Sequence, residues 1–203
     1  MQTNPDRDSF HVDEQTQQEP KLKFVQWRHW LIDIFETILL SLVLFLIINL
    51  ITARIEIESE SMKNTLFPGD RVVVNKLSYW MDPPQRGDII VFDPPFDSSA
   101  PYIKRVIGLP GDEVSISTGG VTVNGVPLIE SYVQSDMLVY GSDTWIVTED
   151  KFFMMGDNRD NSSDSRVWGL MPVENIIGKA VIVYWPPNQW GALSSTVFAA
   201  ESY

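Results

Sequence analysis

The chain has no cysteine, only two histidines and few basic residues: 15 Lys and Arg against 27 Asp and Glu in 203 residues, a formal net charge of −12. Each shortage excludes something. Without cysteine there are no disulfides, thiolate metal sites or cysteine nucleophile, and the redox compartment stays open. The negative balance argues against a nucleic-acid partner, because phosphate contacts need clustered Lys and Arg. The histidines, His11 and His29, both precede the single long apolar run. If that run crosses a bilayer, neither reaches the domain beyond it, and a Ser–His–Asp triad is excluded there. Internal repeats are also lacking, and no segment after the run has a long helical period.

Residues 1–20 are polar, rich in Gln, Asp and Glu, and are expected to be disordered because they can bury little apolar area. Basic and aromatic residues then mix from Lys21 to Trp30. The apolar run from Ile34 to Ile51 follows, broken only by Glu36, Thr37, Ser41 and Asn49. As a helix it covers about 27 Å, close to the hydrocarbon thickness of a bilayer, with Trp27 and Trp30 placed for an interface. A core helix is rarely apolar on every face for so long, and a cleaved signal peptide has a shorter apolar segment. A single membrane anchor fits best. Lys21, Lys23 and Arg28 before it and Arg54 and Lys63 after it leave the orientation undecided on charge alone.

After Thr52 short β-type runs alternate with Pro/Gly turns: Arg71 to Leu77, Asp88 to Phe92, Tyr102 to Gly108, Val114 to Ser117, Trp145 to Val147, Phe152 to Met155 and Ala180 to Trp185. Asn124-Gly125 marks a tight hairpin. The expected fold is mainly β, a single N-terminal transmembrane helix followed by a β-rich domain of antiparallel sheets. Trp185 and Trp190 read first as core residues, with contact to a bilayer surface as the alternative. The last residues, Leu193 to Tyr203, are too few to span and have no assigned place.

Three segments concentrate chemistry. One is Glu58-Ser59-Glu60-Ser61-Met62-Lys63-Asn64-Thr65-Leu66. The second is the strand Tyr102-Ile103-Lys104-Arg105-Val106-Ile107, where alternation puts Lys104 on the face of Tyr102 and Val106. A lysine that loses water there has its pKa lowered and becomes a candidate base near neutral pH, although by itself the strand reads as an edge with a snorkelling lysine. The third runs from Gly156 to Gly169. Its Asp, Asn and Ser oxygens suggest calcium, but an EF-hand loop counted from Asp157 needs Asp or Asn where Arg159 stands, so no metal is expected. Arg159 and Arg166 among Asp157, Asp160 and Asp164 read instead as charge pairs that fix a loop. With no histidine at hand, a serine nucleophile needs another base, and lysine is the known substitute.

Ser61-Met62 with Thr65-Leu66, then Gly69-Asp70, the lysine strand ending Gly108-Leu109-Pro110-Gly111-Asp112, and the Gly156 to Gly169 segment resemble bacterial type I signal peptidase (leader peptidase), in family order across about residues 30–186. The resemblance implies a signal peptidase I-type serine endopeptidase that removes signal peptides after small residues, of Ala-x-Ala type, and uses no cofactor. It implies Ser61 as nucleophile and Lys104 as general base. Ser59 matches the hydroxyl that joins the amide of Ser61 in the oxyanion hole, and Ser162 the serine that orients the lysine. Arg105, Asp157, Asp164 and Arg166 match structural charge pairs, and Met62, Leu66, Tyr102 and Ile103 match substrate-pocket positions.

The corresponding organisation is a cytoplasmic tail over 1–29, a transmembrane anchor over 30–53, a catalytic domain over 54–190 outside the cytoplasm and a C-terminal tail over 191–203. Preproteins, the lipid bilayer and the secretion translocon are the implied partners. The membrane is the bacterial cytoplasmic membrane, with a thylakoid membrane as the alternative. Two departures stand out: Asn64 replaces the family's usual proline, and Glu58 and Glu60 flank Ser59. Proline would stiffen the turn, so Asn64→Pro is expected to keep or raise activity if the backbone there suits it. The carboxylates bear on pocket preference or on deprotonation of Ser61. They leave open a catalytically weak signal-peptide-binding paralogue, and a self-cleaving Ser–Lys regulator is a third reading.

Overall fold

The computed structural model describes residues 19–96, 100–118, 120–133, 142–194 and 198–199. The expected disorder of residues 1–20 therefore falls mostly outside the described residues. The first compact unit ends at Ile48 and the second runs from Asn49 onward. Helix α1 spans Glu19–Ile51. Its Trp27–Ile51 stretch of 25 residues is long and apolar enough to cross a membrane, and none of the apolar window is buried within the protein. The helix begins earlier than the apolar run because nothing from Glu19 to Trp30 breaks it except Pro20, which is tolerated in a first turn.

The strands of the second unit are β1 (Thr52–Glu56), β2 (Arg71–Asn75), β3 (Ile89–Phe92), β4 (Tyr102–Gly108), β5 (Glu113–Ser117), β6 (Gly120–Val123), β7 (Val126–Ile129), β8 (Asp143–Ile146), β9 (Lys151–Met155), β10 (Met171–Pro172), β11 (Ile176–Trp185), β12 (Gly191–Ala192) and β13 (Phe198–Ala199). A one-turn helix, α2 (Ser165–Trp168), interrupts them. Among the described residues these form two antiparallel sheets. The larger has the order β1-β2-β11-β3-β4-β9-β10, with β12 on β11; the smaller has the order β13-β7-β6-β5-β8. Strands β5 to β8 lie between β4 and β9 in the chain, so four strands of the small sheet are inserted between neighbours of the large one, and β13 joins them from the far end of the β unit.

Local sequence explains the pieces. Val72 and Val74 of β2 point inward between half-exposed neighbours, while all four residues of β3 are buried. Asn124 and Gly125 have φ of 54° and 78°, the paired positive values that a two-residue hairpin requires. Strand β11 starts at Ile176, earlier than the expected Ala180, because Gly178 is a packing residue. A Cβ at Gly178 would collide with the backbone carbonyl of Asn75 on β2, so the glycine admits a close approach instead of ending the strand. Trp185 and Trp190 are 49% and 68% exposed, which corrects their reading as core. The core is built from branched, aromatic and sulfur side chains of β2, β3, β4, β9 and β11, with β5 and β6 adding Val114, Ile116, Val121 and Val123.

Candidate active site

The segment that carries Ser61 is a closed loop. Ile57 N–H donates to Asp70 O and Gly69 N–H to Ile57 O, each at 2.8 Å, and the Asp70 carboxylate accepts from Phe67 N–H at 2.8 Å. Inside it, Thr65 and Leu66 N–H both donate to Met62 O, at 3.0 and 2.8 Å. Met62 and Leu66 are fully buried and plug this loop into the core under the large sheet. They are not among the residues lining the cleft that opens onto Ser61. Asn64 takes the bend with φ of 98°. Proline cannot adopt that angle, so the condition for a benign Asn64→Pro is not met.

Strand β4 crosses beneath this loop. Its alternation holds: Tyr102 and Val106 join one apolar cluster, while Ile103 and Ile107 join others. Lys104 is 3% exposed, and its Nζ lies 2.7 Å from Ser61 Oγ and 3.1 Å from Ile103 O. Burial pulls its pKa from 10.5 down to about 8, against the opposing fields of Asp164 and Asp157. Ser59 Oγ is 3.1 Å from Ser61 Oγ. Among the described residues the buried Ser162 Oγ has no hydrogen-bond partner, and the lysine's hydrogen bonds go to Ser61 and Ile103. Gly156 adjoins both serines: a Cβ there would collide with Ser162 Oγ and with the backbone carbonyl of Ser61.

Behind the pair, Arg105 is a fully satisfied buried cation. Nε and Nη2 donate to the two Asp157 oxygens at 2.9 and 2.7 Å, and Nη1 to Gly87 O and Ser194 O at 2.8 and 3.0 Å. A longer contact of Nη2 reaches Thr65 Oγ1 at 3.4 Å. Thr65 Oγ1 itself donates to Asp157 at 2.5 Å, tying the Ser61 loop to the Gly156 segment. Asp164 pairs with Arg166 at 2.8 Å, caps α2 through Arg166 N–H, and accepts from Gly156 N–H at 3.0 Å.

Arg159 has a long-range partner as well as the local acids, Asp157 among them, whose field acts on it. Its buried guanidinium pairs with Glu130, a residue of the small sheet's side of the chain. Sequence reading passed over Glu130, Tyr132 and Ser194, and gave Thr65 a place in a motif but no role. The available signal was Arg159 itself, a cation among acids with too many candidate partners to choose from.

A cleft of about 560 Å³ opens onto Ser61 and Lys104. Its apolar lining includes Ile57, Val91, Tyr102 and Ile103. Glu56, Glu58 and Glu60 also border it. Arg71 bonds Glu56 at 3.1 Å and Lys63 lies 3.6 Å from Glu60, so part of this acidic rim is neutralised.

The comparisons with known proteins converge. The family model described as signal peptidase, peptidase S26, matches residues 27–185. Signal peptidase I of Leptolyngbya laminosa is 48% identical over 168 residues, 78% of this chain and 81% of that protein. Probable signal peptidase I-1 of Synechocystis sp. is 44% identical over 169 residues, 79% of this chain and 86% of that protein. Thylakoidal processing peptidase 1 of Arabidopsis thaliana is 36% identical over 152 residues, 70% of this chain and 44% of that protein. Because the matched region takes in the Trp27–Ile51 stretch and strands β1 to β11, the chain belongs to the signal peptidase family, peptidase S26.

Proposed function

We propose that this S26 peptidase is a membrane-anchored Ser–Lys endopeptidase that cleaves signal peptides from secretory preproteins. The observation that carries the reading is the 2.7 Å approach of a buried amine, with pKa about 8, to a hydroxyl at the head of a cleft. Neutral Lys104 accepts the Ser61 proton as Oγ attacks the scissile carbonyl. The oxyanion is held by Ser61 N–H and, after rotation away from Ser61 Oγ, by the Ser59 hydroxyl. One such donor is worth about 3–4 kcal/mol. The ammonium of Lys104 then protonates the leaving amine, and water activated by the same lysine releases the acyl-enzyme. Ser162, without a hydrogen-bond partner among the described residues, is the hydroxyl that receives the ammonium when it forms.

An extended peptide in the cleft lies between residues 56–60 and 100–104, whose backbone offers partners for strand addition. Tyr102 and Ile103 limit the depth available, which suits small residues before the cut. Residues 30–53 form the anchor, 1–29 stay cytoplasmic and 54–190 act on the outer side of a cytoplasmic or thylakoid membrane, with the translocon as a candidate neighbour. Purified full-length protein incubated with a preprotein tests the reading. Mature product with an intact N-terminus is expected, absent with Ser61→Ala and with Lys104→Ala. Activity retained by either variant rejects the dyad, and a wild-type protein that binds the signal peptide without cutting it supports the binding paralogue instead.

A further inference from the structure

The turn that follows β7, Glu130 to Val133, touches three segments of the catalytic face. The Glu130 carboxylate takes both terminal nitrogens of Arg159, one at 2.9 Å and the other closer. The Tyr132 ring lies 3.9 Å from the Arg105 guanidinium carbon, and the Tyr132 carbonyl accepts from Asn64 Nδ2 at 3.3 Å. Tyr132 also donates its hydroxyl to Glu130 at 2.7 Å, which fixes the carboxylate. Glu130 is outside the cleft lining, so its effect has to pass through Arg159.

That path is continuous. Arg159 Nε donates to Gly156 O at 3.1 Å, closing the Gly156–Arg159 bend around a side chain 1% exposed. The bend presents Asn158. Its N–H donates to Ser61 O and its Nδ2 to Glu60 O, each at 3.0 Å. Because a peptide unit is planar and trans, a bond to Glu60 O sets the direction of Ser61 N–H in the same plane. Asn158 therefore orients both peptide planes that flank Ser61. A buried guanidinium stripped of its carboxylate is strongly unfavourable, so the bend depends on Glu130 for charge as well as aim.

We propose that Glu130 is a positioning residue for signal-peptide cleavage, acting through Arg159 and Asn158 to aim the Ser61 amide at the oxyanion. The inserted small sheet thereby contributes to transition-state binding. The proposal rests on Ser61 being the nucleophile whose amide serves the oxyanion hole.

The test uses full-length enzyme in detergent micelles with a preprotein substrate, comparing Glu130→Gln, Glu130→Asp, Asn158→Ala and the Glu130→Gln/Asn158→Ala double variant well below each Tm. An amide that binds only the transition state predicts a kcat loss of tenfold or more for Glu130→Gln and for Asn158→Ala, with KM within about twofold. Glu130→Asp should recover part of the loss. The double variant should be no worse than the weaker single one, since groups acting in one path are non-additive. Wild-type kcat in folded Glu130→Gln, or full additivity in the double variant, overturns the proposal. If Glu130→Gln does not fold, Glu130→Asp decides, and wild-type kcat in that variant together with Asn158→Ala overturns it too. Ser61→Ala run alongside separates the two readings: residual cleavage there rejects the dyad itself.

Discussion

Lys104 is kept out of water by its own strand and by the Ser61 loop, and that burial is what brings its pKa from 10.5 to about 8. The folded state therefore binds fewer protons than the unfolded one between these values. Stability rises with pH across that window, and the full cost, about 3 kcal/mol, is present below pH 8. Lys104→Met should be inactive yet gain stability relative to wild type at pH 7, an advantage that shrinks by about 3 kcal/mol by pH 11. Urea unfolding at the two pH values measures it, and a pH-independent difference would contradict a neutralised lysine. In the free enzyme the acidic limb of kcat/KM should fall near pH 8, and Lys104→Arg should be dead because guanidinium keeps its proton. Changing His11 and His29 together should leave that profile unmoved. Ser162 gives a contrasting case: its hydroxyl has no hydrogen-bond partner among the described residues, so Ser162→Ala should hold its melting temperature while losing kcat. A fall in Tm without a fall in kcat would assign Ser162 to packing.

At the level of elements, the turn after the nucleophile and the Gly156 bend are shaped by two backbone requirements. Asn64 sits at φ of 98°, so Asn64→Pro should destabilise the protein by more than about 1 kcal/mol, whereas Asn64→Gly should be tolerated to within about that amount. Thermal melts of both variants check this, and a proline variant as stable as wild type would place that bend elsewhere. Gly156 has no room for a Cβ against Ser61 O and Ser162, and both are parts of the site. Gly156→Ala should therefore cost at least tenfold in cleavage even where the protein stays folded, measured by preprotein turnover beside far-UV and near-UV circular dichroism. Unchanged turnover would show that the loop and the Gly156 bend can separate without harm.

For the whole molecule, the helix Trp27–Ile51 and the β unit make a topological prediction: protease added to intact spheroplasts should digest the chain after Ala53 and spare residues 1–20. The reverse pattern would invert the proposed orientation. Composition was enough to find the apolar helix, because an all-apolar face needs no partner to be recognised. Alternation and turn residues were enough to place most strands, since period-two burial and Asn-Gly or Pro-Gly turns are local properties. The motifs around Ser61, Lys104 and Gly156 were legible as a family resemblance. Their meeting was not: Ser61 and Lys104 are 43 residues apart, and only the pairing of β3, β4 and β9 under the closed Ser61 loop brings amine to hydroxyl at 2.7 Å. Tertiary structure likewise decided that Met62 and Leu66 are fully buried, that Asn64 bends through positive φ, and that Arg159 takes Glu130 across 29 residues. The physical reason is common to these cases. Local sequence fixes backbone preference and the face a side chain points to, whereas burial, pKa and the choice among equivalent ion partners depend on what the rest of the fold packs against that face.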